Sequence, residues 1–115
     1  TCIFASTGSS ITEGIGIMRL VANFKEAQID DSYQINDQEL LTIAQHVRDH
    51  DGLLLGSSSA LNVAAAYRLA RELGPGKRIV TIACDLGERS ASKLYNNEYL
   101  LSQGLKVDNL KIEDL

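Results

Sequence analysis

The chain has 115 residues, 44% of them hydrophobic, and carries a net charge of −4. That hydrophobic content excludes a generic disordered chain and suits one modest domain. The acidic balance supplies no field to draw in nucleic acid or an anionic membrane, and no apolar stretch approaches the roughly 20 residues of a membrane span.

The opening, Thr1 to Ser10, is rich in small polar residues, with a short strand expected at Cys2–Ala5. Glu13-Gly14-Ile15-Gly16 reads as a glycine-containing turn. Ile17, Leu20, Val21 and Phe24 then fall at helical spacing, which predicts a short amphipathic helix. Tyr33 to Ile35 is expected as a short strand. Asn36 or Asp37 caps the next helix, running to about Asp49, with Leu40, Leu41, Ile43, Ala44 and Val47 on one stripe. Asp51-Gly52 ends it, and Leu53-Leu54-Leu55 reads as a buried apolar run.

Gly56-Ser57-Ser58-Ser59 precedes a strong helix expected over Ala60–Leu73, where Leu61, Ala65, Leu69 and Leu73 recur every fourth residue. Gly74-Pro75-Gly76 stops it. The run from Arg78 to Cys84 is β-branched and apolar on both faces, as in a buried parallel strand, so Cys84 is expected as a buried thiol. Asp85-Leu86-Gly87 forms a turn at its carboxyl end. Helical pieces follow near Ser90 and over Asn96–Ser102, and the alternation of elements places the chain in the α/β class.

Two loops carry chemical potential. The serine loop offers hydroxyls and backbone N–H groups beside a helix dipole, and Cys84–Gly87 leaves the carboxyl end of a strand; ligands of open α/β sheets bind at such places. Two readings stand at this point: a small-ligand loop, or a plain N-cap supplied by Ser58 or Ser59. His46 and His50 sit four apart on a helix, a spacing that can bind metal, but no third ligand accompanies them and no metal site is assigned. Neither cysteine belongs to a C-x-x-C pair. Tyr67, Tyr95 and Tyr99 are expected on helices in packing roles.

Three ordered segments carry a resemblance: Gly8 to Gly16; Asp51 through Gly56-Ser57-Ser58-Ser59 to Val63; and Arg71 to Gly76, continuing through Ile79–Ile82 and Cys84-Asp85 to Gly87-Glu88-Arg89. Together they resemble the cysteine synthase and cystathionine β-synthase family of pyridoxal-phosphate enzymes, in its C-terminal portion, over about Gly8 to Leu101. The resemblance implies part of a tryptophan synthase β-like (fold type II) α/β fold, a parallel sheet flanked by helices. It implies pyridoxal 5′-phosphate as cofactor, an amino-acid substrate and a homodimer; cytoplasmic residence is expected separately, from the cysteine usage. The parent reaction it implies is β-replacement of an activated serine, such as O-acetylserine, by sulfide to give cysteine.

Carried over by position, Ser58 hydrogen-bonds the pyridine nitrogen, while Cys84 and Asp85 line the cofactor edge. Glu13, Gly14 and Gly16 lie on the substrate side, where the glycines let backbone approach the substrate. A neutral hydroxyl at the ring nitrogen leaves a weaker electron sink than a carboxylate would, which suits β-elimination. Ser57 stands where the family often has glycine, Ala60 where it often has glycine, and Ser90 where a tyrosine is frequent; these differences bear on substrate identity. The family's cofactor-bearing lysine, asparagine loop and phosphate loop lie upstream of these motifs. No lysine of this chain (Lys25, Lys77, Lys93, Lys106, Lys111) is therefore assigned to catalysis, and the segment alone is expected to be inactive. The alternatives are a non-catalytic anion-binding or oligomerisation module, or a cystathionine β-synthase or serine dehydratase relative.

Overall fold

The structure, a computed structural model, describes residues 10–16 and 19–115. The expected strand at Cys2–Ala5, Gly8 and Ser9 of the first motif, and Ile17 fall outside the described residues. The elements are α1 (Ala22–Glu26), α2 (Asp37–Asp51), α3 (Ser57–Leu73), α4 (Asn97–Ser102) and two 3₁₀ turns at Gly87–Ser90 and Ile112–Asp114.

Helix α2 forms where the pattern of good helix formers and apolar spacing predicts it. Asn36 and Glu39 make a reciprocal capping box, each side chain holding the other's backbone N–H at 2.9 Å. Gly52 closes the other end in the left-handed conformation, φ +66°, its N–H reaching the carbonyls of Arg48 and Val47. Leu40, Leu41, Ile43 and Ala44 are buried as expected, with Val47 packed at the edge. Leu40 and Leu41 join Ile11, Ala44, Leu55, Ala60, Leu94 and Leu100 in one core, against which α2 and α3 pack. The far end of the chain is tied back by Gln38, whose amide pairs with both the N–H and the carbonyl of Lys106.

Helix α3 begins three residues earlier than expected, at Ser57, with Gly56 as N-cap. Neither Ser58 nor Ser59 is the cap; both lie inside the first turn. The buried face of α3 is Ser57, Ser59, Ala60 and Ala64, whereas Leu73 of the four-residue repeat is exposed. Ala60 joins the core with Leu40 and Leu41 of α2, while Ser57 and Ser59 turn to neighbouring loops. The repeat of larger side chains falls to the flank.

The parallel sheet does not form within the described residues. Residues 77–85 run as irregular backbone, residues 33–35 form no strand, and strand-like pairing is limited to one antiparallel bridge, Leu55 with Leu86. A strand needs a neighbour for its backbone groups, and one apolar on both faces needs cover on both. Here Val80 is 84% exposed and Ile82 64%. The same lack of cover corrects the expectation for Cys84, which is an exposed free thiol. Of the Leu53–Leu55 run only Leu55 is fully buried.

Tyr95 lies on a turn rather than a helix and donates its phenol to the Leu55 carbonyl at 2.7 Å. Burial pushes this phenol above the ordinary tyrosine value. The folded chain thus holds the proton more tightly than the unfolded chain. Its contribution to stability is complete below about pH 10 and is lost as pH rises through the folded value. Alkaline unfolding of Tyr95→Phe, followed by circular dichroism, is expected to lose this component of its pH dependence.

Candidate functional site

The site grows from the way two chain segments meet at the start of α3. Leu54–Gly56 runs beside Asp85–Gly87: Gly56 donates to the Asp85 carbonyl at 3.1 Å, and Gly87 donates to the Leu54 carbonyl at 2.8 Å. Both glycines are required by contact. A Cβ on Gly56 would fall 1.9 Å from Asp85 Oδ1 and 3.1 Å from its backbone oxygen; one on Gly87 would fall 2.5 Å from Leu54 Cγ.

The three serines then divide their work. Ser59 is fully buried, and its hydroxyl makes three bonds to the opposing loop. It accepts from the N–H of Cys84 at 2.9 Å and of Asp85 at 3.2 Å, and donates to the Asp85 carbonyl at 2.9 Å. Ser57 is also buried; its hydroxyl accepts the Glu13 N–H at 3.1 Å, and its own N–H reaches Ser90 Oγ at 3.2 Å. Ser58 is half-buried, and its single side-chain bond is a long one, 3.4 Å to Asp85 Oδ1. Among the described residues Ser57 and Ser58 each make one side-chain bond, and Ser58 is the less buried of the two, so its hydroxyl is the more accessible to a ligand.

The turn carrying Glu13, Gly14 and Gly16 is anchored on its near side. Ile11 is buried in the core, and Asp37 at the start of α2 accepts from Ile11 N–H at 3.0 Å and from Ser10 Oγ at 2.6 Å. Gly14 and Gly16 adopt φ of +72° and +88° with open space around them, so their requirement is conformational. Glu13 pairs with Lys93 at 2.5 Å. Cys84 is exposed, in contact with Asn62 Nδ2 at 3.5 Å, and Asn62 also holds the Ile82 carbonyl at 2.9 Å.

The structure thus brings Glu13, Ser58, Cys84 and Asp85 to one end of α3, with Gly14 next to Glu13 in the chain and Gly16 two residues further on. Reading the sequence missed the structural roles of Asn62, Ser90 and Lys93. Ser90 carried a signal as a departure from the family pattern; Lys93 carried none. Among the described residues no lysine or arginine donates to the serines or to Asp85, so this end suits an uncharged polar group better than a phosphate.

Other features stand apart. A cavity of about 400 Å³ is lined by Glu39, Tyr67, Arg68, Arg71, Glu72 and Leu115, none of them in the serine turn. The His46 and His50 rings stack at 4.0 Å, and no group of three or more metal-binding side chains occurs among the described residues. No helix among the described residues is long and apolar enough to cross a membrane.

Residues 3–85 match the family model described as pyridoxal-phosphate dependent enzyme. The chain is 48% identical over 98 residues to cysteine synthase 2 of Schizosaccharomyces pombe, covering 84% of this chain and 25% of the relative. It is 42% identical over 101 residues to cysteine synthase of Dictyostelium discoideum, covering 88% and 27%. Cystathionine beta-synthase of Mus musculus is 31% identical over 101 residues, covering 88% and 18%. The chain spans about a quarter of the length of the cysteine synthases it matches. With most of its length matched, the chain belongs to the pyridoxal-phosphate dependent enzyme family.

Proposed function

We propose that this chain is the C-terminal part of the catalytic unit of a cysteine synthase, completed by residues outside this sequence and inactive alone. The reaction is replacement of the β-substituent of an activated serine: O-acetylserine and sulfide give cysteine and acetate. The observation that carries the proposal is the meeting of Glu13, Ser57–Ser59 and Cys84–Asp85, drawn from the three motif segments, at the start of α3, with the Ser58 hydroxyl only half-buried there.

The residues present fit the ring end of the cofactor. Bound pyridoxal phosphate supplies the electron sink that lets the β-substituent leave. Ser58 presents one hydroxyl proton, held among the described residues by a long 3.4 Å contact to Asp85, so turning it to a ring nitrogen gives up little. The helix N-terminus disfavours positive charge beside it, which keeps that nitrogen an acceptor. Ser59 fixes the backbone of Cys84 and Asp85, so the opposing wall of the site holds its place. Glu13, Gly14 and Gly16 offer a turn for the amino-acid substrate. Among the described residues no basic side chain pairs with the serines or Asp85, so none of them is assigned to the phosphate.

In the same reading the residues from Arg78 to Cys84 join a parallel sheet of the fold type II architecture, which would cover Val80 and Ile82. A homodimer and cytoplasmic residence belong to this reading too, although one yeast relative carries a mitochondrial designation in its name. A cystathionine β-synthase activity is the second reading, favoured less because that relative is 31% identical against 42% and 48% for the cysteine synthases. Borohydride reduction of the complete protein, followed by peptide mass mapping, tests the proposal. A phosphopyridoxyl label on a lysine outside this sequence is expected. A label on Lys25, Lys77, Lys93, Lys106 or Lys111, or none at all, contradicts it.

A further inference from the structure

Four residues from three distant segments close a ring of polar contacts beside the serine turn. The Glu13 N–H donates to Ser57 Oγ at 3.1 Å, and the Ser57 N–H donates to Ser90 Oγ at 3.2 Å. The Ser90 carbonyl accepts the Lys93 N–H at 3.1 Å, and the Lys93 ammonium returns to the Glu13 carboxylate at 2.5 Å. The ring is pinned on two sides by the core. Leu94, next to Lys93, and Ile11, two residues before Glu13, are both buried. Ser57 and Ser90 are buried as well, each 4% exposed, so the inner half of the ring is shielded from water and the Glu13–Lys93 half faces it. Immediately beyond Glu13 the chain enters Gly14 and Gly16, both at positive φ with open space around them.

A ring closed this way fixes a distance. Glycines leave the turn free to move, whereas Glu13 is held through both its backbone and its side chain. The hold ends one residue before the freedom starts. We propose that Ser57, Ser90 and Lys93 are positioning residues that set the substrate-side turn at Glu13–Gly16 against the cofactor-side end of α3, and so tune affinity for the amino-acid substrate. The inference rests on the cysteine synthase reading of the site. Ser57 and Ser90 do not touch the ring nitrogen's partner, Ser58, through their side chains, so loosening the ring moves the substrate side while leaving the cofactor in place.

The test uses the complete protein, with substrate affinity read from the absorbance change of bound cofactor on adding O-acetylserine. Ser57→Ala removes an acceptor from the Glu13 N–H and is expected to raise the substrate dissociation constant about two- to tenfold, with kcat changed less than KM. Lys93→Glu, on the exposed half where folding is not at risk, is expected to raise it about two- to fivefold. The double swap Glu13→Lys with Lys93→Glu is expected to recover most of that loss. Cofactor affinity stays within about twofold throughout, a result that a purely structural role would not give. Unchanged substrate affinity in both single variants, a swap that recovers nothing, or parallel loss of cofactor overturns the inference while leaving the cysteine synthase reading intact. A wild-type protein without cofactor absorbance overturns both.

Discussion

Ser59→Ala is expected to destabilise the complete protein by about 2–4 kcal/mol and to weaken cofactor binding severely. The hydroxyl is fully buried and serves three backbone groups at once: the N–H of Cys84, the N–H of Asp85 and the Asp85 carbonyl. Alanine keeps the helix and removes every one of those partners. A buried donor left without an acceptor costs about 1–3 kcal/mol, and two donors here lose theirs together. The damage is directed as well as large. Asp85 accepts the Ser58 hydroxyl's hydrogen bond, so releasing its backbone loosens the wall opposite Ser58. Chemical denaturation with and without cofactor checks this: the variant should lose stability in both conditions and lose more when cofactor is present. A midpoint within experimental error of wild type would mean that the 82–87 segment is held by other contacts.

Leu40→Ala is expected to cost about 2–5 kcal/mol. Leu40 is 0% exposed at the centre of the core that holds α2, Leu55, Ala60 and Leu94 together. The cavity would open in the same core cluster as Ile11, whose burial and backbone contact to Asp37 carry the substrate-side turn. The global loss should therefore come with weaker substrate binding, although Leu40 lies away from the serine turn. Thermal unfolding and substrate titration of the same variant check the two halves of the expectation. Leu40→Met, which nearly conserves volume, should lose less than about 1.5 kcal/mol.

What could be read from the sequence follows from how local each signal is. Helix α2 was legible because its capping box, apolar stripe and closing glycine all lie within its own residues. The start of α3 lies three residues ahead of the expected one, because Gly56 takes the cap position and leaves the serines in the first turn, where they serve contacts 25 to 44 residues away. The run from Arg78 to Cys84 reads as a strand on composition alone, yet strand formation depends on neighbours, and the described residues give it side-chain contacts from Asn62 and Ser59 in place of a partner strand. Cys84 was expected inside for the same reason and lies outside. Site legibility came through the motif resemblance, which names Ser58, Cys84 and Asp85 together. The division of labour among the three serines required coordinates, since the sequence shows three identical side chains in a row. Ser90 and Lys93 stayed unread because their roles are set by Ser57 and Glu13, far away in the chain.

The most direct measurement is the cofactor dissociation constant and absorption spectrum of the complete protein with Ser58→Ala, set against wild type. If Ser58 meets the ring nitrogen, alanine weakens cofactor binding about two- to tenfold and perturbs the absorbance of the bound cofactor, with little change in the stability of the cofactor-free protein. A variant that binds cofactor as tightly as wild type, with an identical spectrum, would contradict the assignment of Ser58.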